Sequence, residues 1–400
     1  MTEGDDAGGR MAREHAPPDP AARAGEIVTA LRETDAESES ERCLSGRAVK
    51  LLHEAGLTRL MSPAAYGGYQ SSPRALVEAE RVVAHGSPAA SWVLMVCGAH
   101  TFMAGRLPRQ GQDEVFGLDA GVLIPGVPSS QGTCRRADGG FLLNGRWPFC
   151  SGVDHGTWVM LGSRGTRNEA GEPTPGMLVV VPQADVTIDD TWYTLGMRGT
   201  GSKDVVLDDA FVPHHRAVRV SDAWLGMVPD VEIPLYRLPV GATLATMLLG
   251  TIVGMSERGL RLFVEETSTR IDAYSGEPKS QRAGIQHRVA EANAEIAHAW
   301  SLATRNCDLL EAAMEHDPPM PPAARAEVRW NAAYGAELCR RAADRLYAAA
   351  GAKANHDTSP LQAVFRDINT STHHAMLDFD TTLEMWGKVL LGVEQPDALI

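Results

Sequence analysis

Asp138-Gly-Gly-Phe-Leu-Leu-Asn-Gly-Arg-Trp-Pro-Phe-Cys-Ser-Gly152 is the stretch on which the fold turns. Asp138-Gly139-Gly140 and Asn144-Gly145 are turn signals, and between them Phe141–Leu143 has the character of a short strand. Working outward, strand-like runs recur at Val122–Ile124, Trp158–Leu161, Met177–Val181 and Val205–Leu207. About a hundred residues of closely spaced short strands predict a small antiparallel barrel or sandwich.

Both flanks are helical in pattern. On the N-terminal side Ile27, Leu31, Val49, Leu52 and Leu57 recur at three- and four-residue spacing. Ser72-Pro73 and Ser87-Pro88 each place a capping serine before a first-turn proline. After Pro234, Ala-rich amphipathic stretches run to Gly392, broken at Asp317–Pro322 and near Gly351. The expected organisation is α+β: a disordered tail over 1–22, an N-terminal helical domain over 23–118, a central antiparallel β-barrel over 119–225, and a C-terminal four-helix bundle over 226–400.

Charge removes several classes of function. The 400 residues hold 37 basic and 51 acidic side chains, a formal net charge of −14. An acidic surface repels phosphate and offers few cations for counterion release, so nucleic acid and membrane surfaces are not expected partners. Residues 1–42 alone carry 11 acids against 5 bases, so the densest charge belongs to a solvated tail. Val82–Gly105 and Leu238–Ser256 contain no Asp, Glu, Lys or Arg. Small and polar residues dilute both, which marks them as buried bundle helices instead of membrane spans. The six cysteines form no C-x-x-C pair, and the N-terminus has no basic segment leading into an apolar run. A reducing cytoplasm is the expected location.

Generic motifs mostly fail. Gly199-Thr-Gly-Ser-Lys-Asp leads into the strand-like Val205-Val-Leu, whereas a dinucleotide loop must open a helix. His214-His215 and His373-His374 are adjacent and point apart, and neither has a carboxylate or cysteine in ligand spacing, so no metal is expected. Three segments remain. Arg146–His155 sets small polar side chains among aromatics at a strand end. Leu195–Val205 offers flexible backbone and hydroxyls. Arg366–Leu377 reads as a helix on which His374 shares a face with Thr370, Leu377 and Thr381.

These segments, in this order, resemble the acyl-CoA dehydrogenase-like flavoproteins. Among them the flavin-dependent monooxygenases are most similar: two-component 4-hydroxyphenylacetate and steroid-catabolic phenol hydroxylases, and related enzymes of antibiotic biosynthesis. Pro63–Gly68, Gly140–His155, Asp190–Arg216, Tyr236–Pro239 and Phe365–Gly392 carry the likeness, which spans Ala24 to Gly392. The resemblance implies an oxygenase that takes reduced FAD or FMN and O2, forms a flavin C4a-hydroperoxide, and transfers an OH group to an aromatic or polycyclic substrate. With no credible nicotinamide loop in the chain, a separate NAD(P)H:flavin reductase must supply the flavin. A homotetramer is also implied, with Leu238–Ser256 at subunit contacts.

The same resemblance assigns residues. His374 takes the role of the histidine that hydrogen-bonds the peroxide, and His373 that of a structural neighbour. Ser151 takes that of the group near flavin N5, with Cys150 open as the alternative. Trp147 and Phe149 are expected to pack on the ring, and Thr200 and Ser202 to reach the flavin edge or phosphate. Arg270 matches a cation presented to the phosphate, often of a neighbouring subunit. His100 takes the place of the histidine facing the substrate hydroxyl, with Ser129 and Ser130 framing that pocket. Two enzymatic alternatives stand beside this reading. One is an amine or amino-sugar N-oxygenase; the other is an acyl-CoA dehydrogenase, whose Tyr-Glu-Gly-Thr base motif is missing and for which Glu384 is the available substitute. A binding protein that has kept the fold and lost the chemistry is the third.

Overall fold

A computed structural model describes residues 19–167, 170–273, 275–316 and 320–393. Residues 1–18 of the expected tail, and Asp317–Pro319 of the expected break, lie outside them. Helix α1 (Pro20–Glu41) begins where Asp19 Oδ1 accepts the Ala21 and Ala22 N–H groups, so 20–22 belong to a helix and not to a tail. Helices α2 (Gly46–Glu54), α3 (Pro73–Ala84), α4 (Pro88–Ala104) and α5 (Arg109–Phe116) complete the N-terminal layer. Ser87 caps α4 through the Ala90 N–H. Every α4 residue except Gly98 is buried, as expected of a helix apolar all round.

Seven strands follow: β1 (Gly126–Ala137), β2 (Gly140–Cys150), β3 (Trp158–Gly165), β4 (Met177–Pro182), β5 (Thr187–Asp189), β6 (Lys203–Pro213) and β7 (Ala217–Arg219). They form one sheet in the order β5-β6-β2-β1-β3-β4-β7, with β1 and β3 parallel. The expected antiparallel barrel is therefore an open, mixed sheet among the described residues. Asp138-Gly139 does turn β1 into β2. Asn144-Gly145 does not end a strand: β2 runs through it, and a register shift against β6 falls between Leu143 and Gly145. Gly145 takes φ +152° there, a bulge geometry closed to side-chain-bearing residues. Val122–Ile124 is buried irregular chain, and the polar β1 that follows was not anticipated.

After α6 (Val220–Leu225), the C-terminal helices are α7 (Val240–Thr269), α8 (Ala283–Met314), α9 (Pro322–Ala350), α10 (Pro360–Ser371) and α11 (Phe379–Leu390). Helices α7, α8 and α9 pack together, α10 lies on α7 and α9, and α11 on α9. Helix α7 is long and apolar enough to cross a membrane, yet 94% of its most apolar window is buried inside the fold. A Cβ at Gly250 would lie 2.4 Å from Glu80 Oε1 of α3, and one at Gly254 2.2 Å from the Arg81 carbonyl. Close α3–α7 packing needs these glycines. The Leu238–Ser256 side chains are thus spent on the chain's own core, which corrects the expectation that they meet another subunit.

Candidate functional site

The end of β2 decides which side chains reach the site. A second register shift against β6, between Trp147 and Cys150, breaks strict alternation. Trp147 stays in the sheet core, fully enclosed, with its Nε1–H donated to the Gly162 carbonyl at 2.6 Å. Cys150 also faces that core, and burial pushes its thiol well up. Phe149 turns outward: it holds φ +68°, is 66% exposed, and meets the edge of Trp192 with centroids 6.1 Å apart. The expectation that Trp147 packs on a bound ring is corrected, because its ring is walled in by the sheet.

Ser151 follows on the site side and joins a chain of buried polar groups. Trp92 Nε1–H of α4 donates to Ser151 Oγ at 3.2 Å. Ser151 and Ser202 hydroxyls lie 2.7 Å apart, and those of Ser202 and Thr200 2.6 Å. Thr200 Oγ1–H donates to the Met197 carbonyl at 2.8 Å. Each hydroxyl has one proton, so the direction follows by count. Thr200 spends its proton on Met197, Ser202 on Thr200, and Ser151 on Ser202. Ser151 therefore presents a lone pair, not a donor, to a ligand.

Met197 is itself anchored across the molecule. Its N–H donates to Asp367 Oδ1 of α10 at 2.6 Å, holding a left-handed backbone at φ +55°. Burial raises the Asp367 carboxyl to about 7, helped by Asp35 and Glu39 and opposed by the Met197 bond.

His374 is not in a helix, contrary to the sequence reading. Helix α10 stops at Ser371, and His374 is the extended residue capping the 3-10 turn Ala375–Leu377. Its Nδ1 accepts the Met376 N–H at 3.2 Å, which leaves the proton on Nε2 in the neutral ring. The imidazole stands edge-on to Trp92, with centroids 6.0 Å apart. His100, buried on α4, is arranged oppositely: its Nδ1–H donates to the Ile124 carbonyl at 2.8 Å, so Nε2 is a free base. Both pKa values are lowered to about 4, chiefly by burial, with Arg329 and His100 contributing at His374. His373 is exposed.

The structure thus joins Ser151, Ser202 and Thr200 directly in one network, to which Trp92 donates at Ser151 while standing edge-on to His374, and His100 lies within Coulombic reach of His374. Trp92 and Asp367 were missed by the sequence reading. Trp92 stands two turns before His100 on one helix and was legible in principle; the Asp367–Met197 bond spans 170 positions and was not. Ser129 and Ser130 are exposed on the bulged start of β1. Arg270 lies elsewhere, bonded to the Ala350 carbonyl beside a cavity of about 620 Å³ that Lys279 and Lys353 also line. His215 pairs with Glu114 and His214 packs on Phe141, so that histidine pair diverges.

An exposed aromatic ring, a serine lone pair and an Nε2–H donor fit the face and edge of a reduced flavin, whose N5 carries a proton to donate. Fold and site together define an acyl-CoA dehydrogenase-type flavoprotein, and residues 247–379 match the family "Acyl-CoA dehydrogenase, C-terminal domain". The chain is 30% identical over 378 residues to the flavin-dependent monooxygenase oxygenase subunit HsaA of Rhodococcus jostii (strain RHA1), covering 94% of this chain and 98% of that protein. It is 28% identical to the p-hydroxyphenylacetate 3-hydroxylase oxygenase component of Acinetobacter baumannii, over 94% and 89% of the two chains. XiaF from Streptomyces sp., solved with FADH2 and glycerol, superposes with a TM-score of 0.89 at 29% identity, over 99% of both chains. This chain belongs to the oxygenase components of the two-component flavin-dependent monooxygenases. It is a flavin-dependent oxidoreductase.

Proposed function

We propose that this oxygenase hydroxylates an aromatic or polycyclic molecule, with His374 and Ser151 at the reacting edge of the flavin and His100 at the substrate hydroxyl. The observation that carries it is the opposed protonation of the two histidines, one offering Nε2–H and the other a bare Nε2. Reduced flavin, when bound, would supply two electrons and activate O2, so that one atom enters the ring and the other leaves as water. Ser151 Oγ accepts from flavin N5–H, because its own proton is committed to Ser202. His374 would donate to the oxygen being activated through its Nε2–H. His100 Nε2 takes the proton of a substrate hydroxyl and enriches the ring carbon to be attacked. Phe149 covers the flavin ring, and Ser129 and Ser130 border the way in.

FADH2 in XiaF, and a relative named FADH(2)-dependent resorcinol hydroxylase, support FAD ahead of FMN. Arg270 lines a cavity with Lys279 and Lys353, a cluster of cations that supports its service to the flavin phosphate of a neighbouring subunit in a cytoplasmic homotetramer. An acyl-CoA dehydrogenase is not favoured: Glu384 lies exposed on α11, ion-paired to Lys388. Anaerobic protein with reduced FAD or FMN, mixed with O2 in a stopped-flow cell, should hold a transient flavin absorbance for seconds before oxidised flavin returns. Immediate oxidation with both flavins would sink the reading.

A further inference from the structure

Arg325 and Arg329 sit one turn apart on α9, 7% and 8% exposed. The Nε of each is buried without a hydrogen-bond partner. Buried arginines are ordinarily paired, because an uncompensated buried charge is costly. Arg258 obeys the rule, bonding Asp35 and the Gly86 carbonyl; Arg106, bonded to the Leu238 carbonyl and stacked on Phe102, also lacks a carboxylate, but it stands alone where Arg325 and Arg329 stand as a pair. Among the described residues no carboxylate pairs with Arg325 or Arg329, and burial alone lowers the pKa of each.

Their place is informative. Helix α9 packs on the Ala375–Leu377 turn that His374 caps. The Arg329 charge reaches the His374 ring and helps keep it neutral. A pair of cations without a counterion, beside the group assigned to the reacting oxygen, is a site prepared for an anion. A guanidinium matches a carboxylate through two parallel N–H···O bonds.

We propose that Arg329, with Arg325 one turn earlier, receives a carboxylate of the substrate beside His374, so that the molecule hydroxylated is an aromatic acid. This rests on the hydroxylase reading above and names the substrate class for it. Among the described residues no carboxylate competes for the pair, so the acid is selected against its neutral isostere by the charge left unpaired when the isostere binds.

The test uses holoenzyme with reduced FAD, titrated anaerobically with 4-hydroxybenzoate and 4-hydroxybenzamide, which match in shape and differ in charge. Wild type should bind the acid at least about tenfold more tightly. Arg329→Met should abolish the preference, Arg329→Lys should keep part of it, and Arg325→Met should weaken it. Equal affinities, no acid binding in wild type, or a preference surviving both Met variants overturns the proposal. Loss of reduced-FAD affinity in Arg329→Met with the acid preference intact assigns the anion to the flavin and also overturns it. If Arg329→Met does not fold, Arg329→Lys and Arg325→Met decide. The oxygen reaction of wild type is recorded separately: its failure removes the hydroxylase reading, whereas its success without an acid preference removes only the anion receptor.

Discussion

His100 and His374 hold opposite neutral tautomers. The Nδ1 of His100 donates to the Ile124 carbonyl at 2.8 Å, and the Nδ1 of His374 accepts the Met376 N–H at 3.2 Å. One backbone contact at each ring fixes what the other nitrogen can do. With both pKa values near 4, neither ring is charged at neutral pH, and the two roles do not interchange.

Replacing His374 with Ala removes the Nε2–H donor. The transient flavin absorbance should then decay about a hundredfold faster, hydrogen peroxide replacing product, as expected for loss of one donor to developing charge. An unchanged decay rate takes His374 out of the reaction. His100→Gln keeps a donor for Ile124 and loses the basic nitrogen. Product formation should fall by about 10²-fold, while decay of the transient without substrate stays as in wild type.

Stability against pH separates the histidines from Asp367. Folded pKa values near 4, against 6.5 for an ordinary histidine, mean that the unfolded chain binds more protons between those limits. Each histidine therefore costs stability as pH falls through that window, and nothing further below it. Asp367 runs the other way. Raised from 3.8 to about 7, it holds its proton in the folded chain, so stability falls as pH rises between those values. Asp367→Asn keeps an oxygen for the Met197 N–H and removes that opposing slope, worth up to about 1.4 kcal/mol per pH unit. Melting temperature should climb more steeply with pH in the variant than in wild type; parallel curves would show that Asp367 is ionised throughout.

Ser202 tests the direction of the hydroxyl chain. In Ser202→Ala, Ser151 loses its acceptor and Thr200 its donor, for a loss of about 1–3 kcal/mol in unfolding free energy. The Ser151 proton, now free, competes with flavin N5–H, and peroxide leakage per turnover should rise. Wild-type coupling of flavin oxidation to product in this variant would mean that Ser151 does not face N5.

Local chemistry was readable in the sequence where the signal and its partner are close together. Ser87-Pro88 announced α4 because cap and helix are neighbours, and Asp138-Gly139 announced the β1–β2 turn for the same reason. Asn144-Gly145 carries an equal local signal, yet pairing with β6 draws it into a strand as a bulge. Trp147 and Phe149 share a parity that assigns them one face, and the slip before Cys150 separates them. His374 was assigned by resemblance, and the helix read over Arg366–Leu377 stops short of it: α10 ends at Ser371, and the Ala375–Leu377 turn that follows packs on α9, a contact no local pattern encodes. Arg325 and Arg329 carry no local signal that would single them out, and only the packed bundle reveals them as buried.

Phe149 offers a test in which stability and function part. A left-handed backbone at a non-glycine residue costs about 1–2 kcal/mol, and Phe149 holds φ +68° with its ring 66% exposed. The folded chain recovers an edge contact with Trp192, its one ring contact among the described residues, worth about 0.5–1.5 kcal/mol. Phe149→Gly releases the strain and forfeits the contact, two terms of similar size, so the melting temperature of the flavin-free protein should stay nearly constant. Reduced-flavin affinity should nevertheless drop by about tenfold, since the ring proposed to cover the flavin is gone. A clear loss of stability with affinity intact would make Phe149 a structural wedge, and the strained residue would then have no ligand to explain it.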